Sequence, residues 1–241
     1  MTACLLLRSD GEEDMSAQKN FYGAIEAGGT KFVCAIGDEM GNIHSQTRIP
    51  TRDPVSTLAD VQGFLRAGSK VVGRIAAIGI GCFGPIDLDK PLHGLTHPEI
   101  GHIYPRRHLL DSGFPGVCPF HRDCLEGLAS GPAILARTGS SLQQLDGAHP
   151  QWDIQADYLG QLCAQVVLTL SPQRIVMGGG VMTQLRLLPL VRQRLRHWLG
   201  GYINRREILA DADRYVVAPA LHSQAGILGA LGLAMDAASS S

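Results

Sequence analysis

The run Cys118-Pro-Phe-His121-Arg-Asp-Cys124 sets two thiols and an imidazole at three-residue spacing. Thiolate and neutral imidazole are ligands that zinc takes. A structural site closes the tetrahedron with a fourth side chain, whereas a catalytic one keeps a position for water. Upstream, the stretch THPEIGHIYPRRH offers His97, His102 and His108 as the fourth ligand, and spacing alone does not choose among them. A chance cluster of polar loop residues has to account for two thiols flanking a histidine, and metal binding accounts for them better.

A second chemically able stretch is Glu26-Ala27-Gly28-Gly29-Thr30-Lys31. A turn without side chains at two positions lets backbone N–H groups approach a phosphate, with a hydroxyl and an ammonium beside them. The plain alternative is an ordinary hairpin turn, because short glycine motifs are poorly specific. Gly178-Gly179-Gly180 is equally double in meaning. It follows an apolar strand pattern and precedes a helical one, so it reads either as a nucleotide seat at a helix N-terminus or as a simple β-to-α turn.

The elements that must position these residues follow from periodicity. Phe21 to Ala27 and Lys31 to Gly37 read as strands joined by a glycine turn, and residues 41–50 as a third strand. Pro54 followed by Leu58, Val61, Phe64 and Leu65 predicts an amphipathic helix with proline in its first turn. Residues 72–81 predict a buried strand running into the loop Cys82-Phe83-Gly84-Pro85. Beyond it, helices are expected over 125–137, 153–170, 182–199 and Ser223 to Ala238, with strands at RIVMGGG and over 214–220. This order predicts an α/β protein of two lobes, residues 21–90 and 91–241, behind a frayed tail of residues 1–20 in which Met15 is a second candidate start.

Composition narrows the classes. With 241 residues, 45% of them hydrophobic and 18% charged, the chain can bury one sizeable core or two small lobes. Its 29 glycines and mean hydropathy of +0.06 fit a loop-rich α/β protein. No apolar run is long enough for a bilayer, and a formal net charge of −1 supplies no general attraction for nucleic acid or an anionic membrane. The arginines of residues 186–206 read as a solvated helix face. Six scattered cysteines, Cys4, Cys34, Cys82, Cys118, Cys124 and Cys163, do not make a disulfide framework, and the first residues lack a secretory signal pattern, so the cytoplasm is the expected compartment.

Five ordered blocks, IEAGGTKF, GIGCFGPID, HPEIGHIY with CPFHRDCLEGLASGPA, IVMGGGVM and SQAGILGAL, resemble the ROK family of sugar kinases, and in particular its bacterial fructokinases. The resemblance runs from Phe21 to Met235. It implies an actin-like, ribonuclease H-like ATPase fold of two lobes, transfer of phosphate from ATP with Mg²⁺ to the 6-hydroxyl of a hexose, fructose first, and a homodimer. It also implies that His102 joins Cys118, His121 and Cys124 to close a structural zinc site, and that Glu99, His102 and Glu126 approach sugar hydroxyls. Gly28, Gly29, Thr30 and Lys31 would lie along the triphosphate, and Gly178, Gly179 and Gly180 near the nucleoside.

The chain departs from the family after Lys90. There the family carries several dozen further residues, among them a D-V-N-A-A stretch with the catalytic base and a second glycine hairpin, G-T-G-I-G-A-G. Neither motif occurs here, so no catalytic residue is assigned, and Asp87 and Asp89 are not ready substitutes. The loss is expected to leave an open sheet edge and uncovered apolar faces beside the RIVMGGG and RYVVAPA strands. Two functional readings follow: a hexose kinase, foremost a fructokinase, in shortened form, or a non-catalytic, zinc-stabilised sugar- or nucleotide-binding remnant. A sugar-responsive repressor of the same family needs an N-terminal helix-turn-helix, and residues 1–20 are too short to make one.

Overall fold

The computed structural model describes residues 20–82 and 99–239. Residues 1–19, the loop residues 83–85, Asp87, Asp89, the junction after Lys90 and His97 lie outside the described residues. In chain order the elements are β1 (Phe21–Ala27), β2 (Lys31–Asp38), β3 (Ile43–Pro50), α1 (Pro54–Val72), β4 (Ile75–Cys82), α2 (Leu125–Ala129) and α3 (Gly131–Thr138). They continue with α4 (Gln151–Leu170), β5 (Ile175–Val176), α5 (Leu187–Leu199), α6 (Arg206–Leu209), α7 (Ala212–Tyr215), β6 (Val216–Val217) and α8 (Ala225–Ser239). They form two compact units, Met1–His97 with Gln224–Ser241, and Pro98–Ser223. Among the described residues no helix is long and apolar enough to cross a membrane.

The first unit is a sheet of order β3-β2-β1-β4, with β1 antiparallel to β2, β2 antiparallel to β3 and β1 parallel to β4. Successive side chains of a strand point to opposite faces, and both faces are apolar. Tyr22 and Ala24 of β1 and Val33 and Ala35 of β2 meet Ile227, Ala230, Leu231 and Ala234 of α8. Ile25, Cys34, Ile36 and Ile49 meet Val61 and Leu65 of α1 on the other face. Asp53 caps α1 by accepting from the Ser56 N–H at 3.0 Å, and Pro54 suits the first turn because no N–H is needed there. The buried stripe of α1 is Thr57, Val61 and Leu65, at exact four-residue spacing, which leaves the expected Leu58 exposed.

By chain order α8 belongs to the second lobe, yet it packs on the sheet of the first. The contact is close because the sheet offers glycines. A Cβ on Gly79 would stand 1.8 Å from the Ala230 carbonyl oxygen, and one on Gly37 would stand 2.6 Å from Leu231 Cδ2. Backbone cannot yield as a flexible side chain can, so Gly79→Ala is expected to cost about 1–3 kcal/mol or more. Exposed Gly63 of α1 has nothing within 4 Å of such a Cβ. Gly63→Ala should therefore stabilise by up to about 1 kcal/mol through helix propensity. Thermal unfolding of the two variants should shift in opposite directions.

The β2–β3 connection is built around Asp38, whose side chain is buried. It accepts from His44 Nε2 at 2.7 Å and from the N–H groups of Met40 and Asn42, each at 3.0 Å. The His44 contact first, then those of Asn42 and Met40, hold its carboxyl well below the usual carboxylate range. A lowered folded pKa contributes stability that is complete above the unfolded value near 4 and is lost as pH falls toward the folded value. Urea midpoints should therefore fall on the acid side, and Asp38→Asn should flatten that slope.

In the second unit α4 lies along α5, with Ala156, Cys163, Ala164 and Val167 against Leu187, Leu188, Val191 and Leu195. Among the described residues its sheet is the parallel pair β5 and β6, extended by Met177 N donating to Val217 O at 2.8 Å. The strand expected over 214–220 is two residues long, because 212–215 form α7. The helix expected over 125–137 is two helices, broken where the Ser130 hydroxyl caps α3 ahead of Pro132. The helix expected from 182 begins at Leu187, after a 3-10 turn over Val181–Thr183. Leu168, Leu170 and Val176 stay exposed at the end of α4 and on β5, in keeping with a sheet short of neighbouring strands.

Candidate functional site: a four-ligand cluster and a glycine-turn cavity

Residues 99–124 form no α-helix, and their regular structure is two 3-10 turns and one bridge. Cys118 and Arg122 pair across a tight hairpin, Cys118 N to Arg122 O at 3.1 Å and Arg122 N to Cys118 O at 2.9 Å. Leu125 N donates to Ile103 O at 2.8 Å and Val117 N to Gly127 O at 3.0 Å, which ties both ends of the loop to the start of α2. The backbones crowd here. A Cβ on Gly127 would stand 1.8 Å from Arg122 O.

This folding gathers His102, Cys118, His121 and Cys124 so that their ligand atoms all lie within 4.8 Å of one another. His102 Nδ1 is 3.3 Å from His121 Nδ1, 3.5 Å from Cys124 Sγ and 3.8 Å from Cys118 Sγ, and Cys118 Sγ is 3.9 Å from His121 Nδ1. Zinc bonds of about 2.3 Å to sulfur and about 2.0–2.1 Å to nitrogen give tetrahedral edges of roughly 3.3–3.8 Å. The donor set therefore suits a zinc ion by chemistry, and the separations from His102 Nδ1 match those edges. Of the candidate histidines among the described residues, His102 brings a ring nitrogen to the other three ligand atoms. His108 is occupied elsewhere, with Nδ1 accepting from Leu110 N and Nε2 3.3 Å from Asp153 Oδ2.

The thiols of the cluster differ from those of the cores. The backbone N–H of His121, helped by that of Phe120, donates to the Cys118 sulfur and holds its pKa below the ordinary thiol value, while burial pushes Cys124 up. Burial alone pushes Cys34 to about 11 and Cys163 to about 12, which marks both as inert core residues. Beneath the loop, buried Asp111 receives Arg137 Nε at 2.6 Å, Arg137 Nη2 at 3.0 Å and the Tyr158 hydroxyl at 2.7 Å. Arg137 also donates to Leu128 O and lies over the Phe114 ring. This fork anchors the turn Leu109–Asp111 to α3 and α4.

The expected sugar contacts divide. Glu126 stands in the first turn of α2 with Oε2 3.3 Å from His102 Nε2. Glu99 is exposed and precedes the 3-10 turn Ile100–His102, where its carbonyl accepts from His102 N.

In the first unit, Gly28, Thr30 and Lys31 line a cavity of about 550 Å³, together with Glu26, Cys82, Gly226 and Gly229. Exposed Gly29 belongs to the same turn but does not line it. Sequence reasoning left Glu26 and Gly226 without a role. A Cβ on Gly226 would stand 2.4 Å from Glu26 Cδ, so the glycine admits the carboxylate beside the first turn of α8. The available signal was an ionisable residue ending an apolar strand. Gly178, Gly179 and Gly180 lie in the second unit after β5. Gly179 has φ +91, and a Cβ on Gly178 would stand 3.0 Å from Pro219 Cγ. The loop runs into a 3-10 turn, so the expected helix N-terminus is not there.

The sequence profile described as the ROK family matches residues 22–92 and 88–237. The chain belongs to the ROK family. It is 32% identical over 290 aligned positions to a fructokinase of Streptococcus mutans, covering 88% of this chain and 97% of that one. It is 31% identical over 291 positions to a fructokinase of Pediococcus pentosaceus, covering 89% and 98%. A crystal structure of a ROK family glucokinase from Streptomyces griseus, with glucose and AMPPNP, superposes with a TM-score of 0.57 at 19% identity, covering 90% of this chain and all of that one. The fold is thus the actin-like ATPase fold of ROK sugar kinases in shortened form. Both alignments are longer than this 241-residue chain, so each relative carries residues opposite an internal gap. The two ROK matches meet at residues 88–92, around Lys90.

The purified chain should hold about one zinc per molecule, since a closed four-ligand site binds tightly enough to drive folding. Elemental analysis should find it, and Cys118→Ser should abolish it and lower the melting temperature.

Proposed function

We propose that this chain is a shortened ATP-dependent hexose kinase of fructokinase type, with the phosphate and sugar sites retained and the base for phosphoryl transfer absent. The observation that carries the reading is the pair of fructokinase alignments, which run nearly end to end through the chain and still leave an internal gap. The glucokinase of the same fold was crystallised with glucose and AMPPNP, which supports a hexose and an adenine nucleotide as the ligand pair.

In this reading Gly28, Gly29, Thr30 and Lys31 receive the phosphates of ATP, accompanied by Mg²⁺, and Gly178, Gly179 and Gly180 lie toward the nucleoside. Glu99, His102 and Glu126 accept and donate hydrogen bonds at sugar hydroxyls, because carboxylates suit adjacent hydroxyls of a hexose. The metal of the four-ligand site is structural. It holds in place the loop that carries two of these residues. A cytoplasmic homodimer belongs to the same reading.

Phosphoryl transfer to a 6-hydroxyl depends on positioning, on a base at the hydroxyl and on neutralising charge at the phosphates. The lost segment carries the base and the second phosphate hairpin of the family pattern, each worth on the order of a hundredfold or more. Zinc-loaded, folded protein should therefore show no fructose-dependent ADP release in a coupled assay. Inserting the family's missing segment after Lys90 should restore it. Turnover by the unmodified chain would refute the missing base. A folded insertion variant that stays inactive would favour the non-catalytic binding remnant.

A further inference from the structure

We propose that Glu126 is the positioning residue of the metal centre, holding the proton of His102 on Nε2 so that Nδ1 faces the ion. This goes beyond the kinase reading and does not rest on it.

The geometry has three parts. His102 turns Nδ1 toward His121 Nδ1, Cys124 Sγ and Cys118 Sγ, at 3.3, 3.5 and 3.8 Å. A neutral imidazole that offers Nδ1 to a metal carries its proton on Nε2, and the partner of that N–H selects the tautomer and the ring orientation. Nε2 lies 3.3 Å from Glu126 Oε2, an ion-pair separation slightly beyond the usual N–H···O range of about 2.7–3.2 Å. The approach is built into the backbone. Ile103, next to His102, accepts the N–H of Leu125, next to Glu126, at 2.8 Å. A Cβ on Gly101 would make ordinary contact with Glu126 Cβ at 4.0 Å, so the two backbones run side by side.

Two plainer roles compete. Glu126 is a first-turn acid of α2, and any carboxylate near a cation attracts it. Neither depends on the Nε2 proton, so a double-mutant cycle separates them. Zinc affinity is measured on the full chain by competition with a chromophoric chelator, without sugar, so failure of the kinase reading leaves the result untouched. Glu126→Ala should weaken zinc binding about tenfold to a hundredfold, as loss of an outer partner does. Glu126→Gln keeps an acceptor oxygen at the same length and should lose less. In a His102→Cys background the fourth ligand has no second N–H, and adding Glu126→Ala should change affinity little.

Unchanged affinity in Glu126→Ala, or an equal loss in the His102→Cys background, would overturn the proposal. If His102→Cys does not fold, the comparison of Gln with Ala decides. Equal losses there point to charge alone and also overturn it.

Discussion

The loop of residues 99–124 has to hold a shape that no ladder of backbone hydrogen bonds imposes on it. Two anchors take over that task. One is the gathering of two thiols and two imidazoles with their ligand atoms within 4.8 Å of one another, where binding of a metal would become folding free energy. The other is the buried fork of Arg137 on Asp111, completed by the Tyr158 hydroxyl, so that the carboxyl group is paired and hydrogen-bonded at once. A buried charge with any of these partners removed would be costly. The floor under the loop is apolar, with Leu125, Leu128, Ile154 and Tyr158 packed together and Ile103 and Phe114 against them.

The first unit solves a different problem. Its sheet is covered on both faces, and α8 comes close enough to bring its first turn beside Glu26 because glycines stand at the contacts. The cavity at the Gly28 turn is a consequence of that closeness. A helix arriving from the far end of the chain thus walls a site begun by the first strand. The internal gap leaves this packing in place, since none of the residues that make it lies within 88–92, where the ROK matches meet. The second sheet, among the described residues, is a two-residue pair.

Much of this was legible because it is local. Cys118, His121 and Cys124 mark themselves as candidate metal ligands through type and spacing, and the alternating faces of β1 and β2 follow from the period of a strand. The gap was legible too, because two motifs are absent in order. The choice of His102 over His108 was not derivable from spacing. It depends on Asp153 of α4 drawing His108 away and on the Cys118–Arg122 hairpin turning its ligands toward residue 102. The roles of Glu26 and Gly226, the attachment of α8 to the first sheet and the shrinking of the 214–220 strand likewise arise between residues far apart in the chain. The sequence by itself determined which side chains could bind metal, phosphate and sugar, because those are properties of short stretches. Tertiary structure decided which of them meet, because that requires packing partners that no local pattern names.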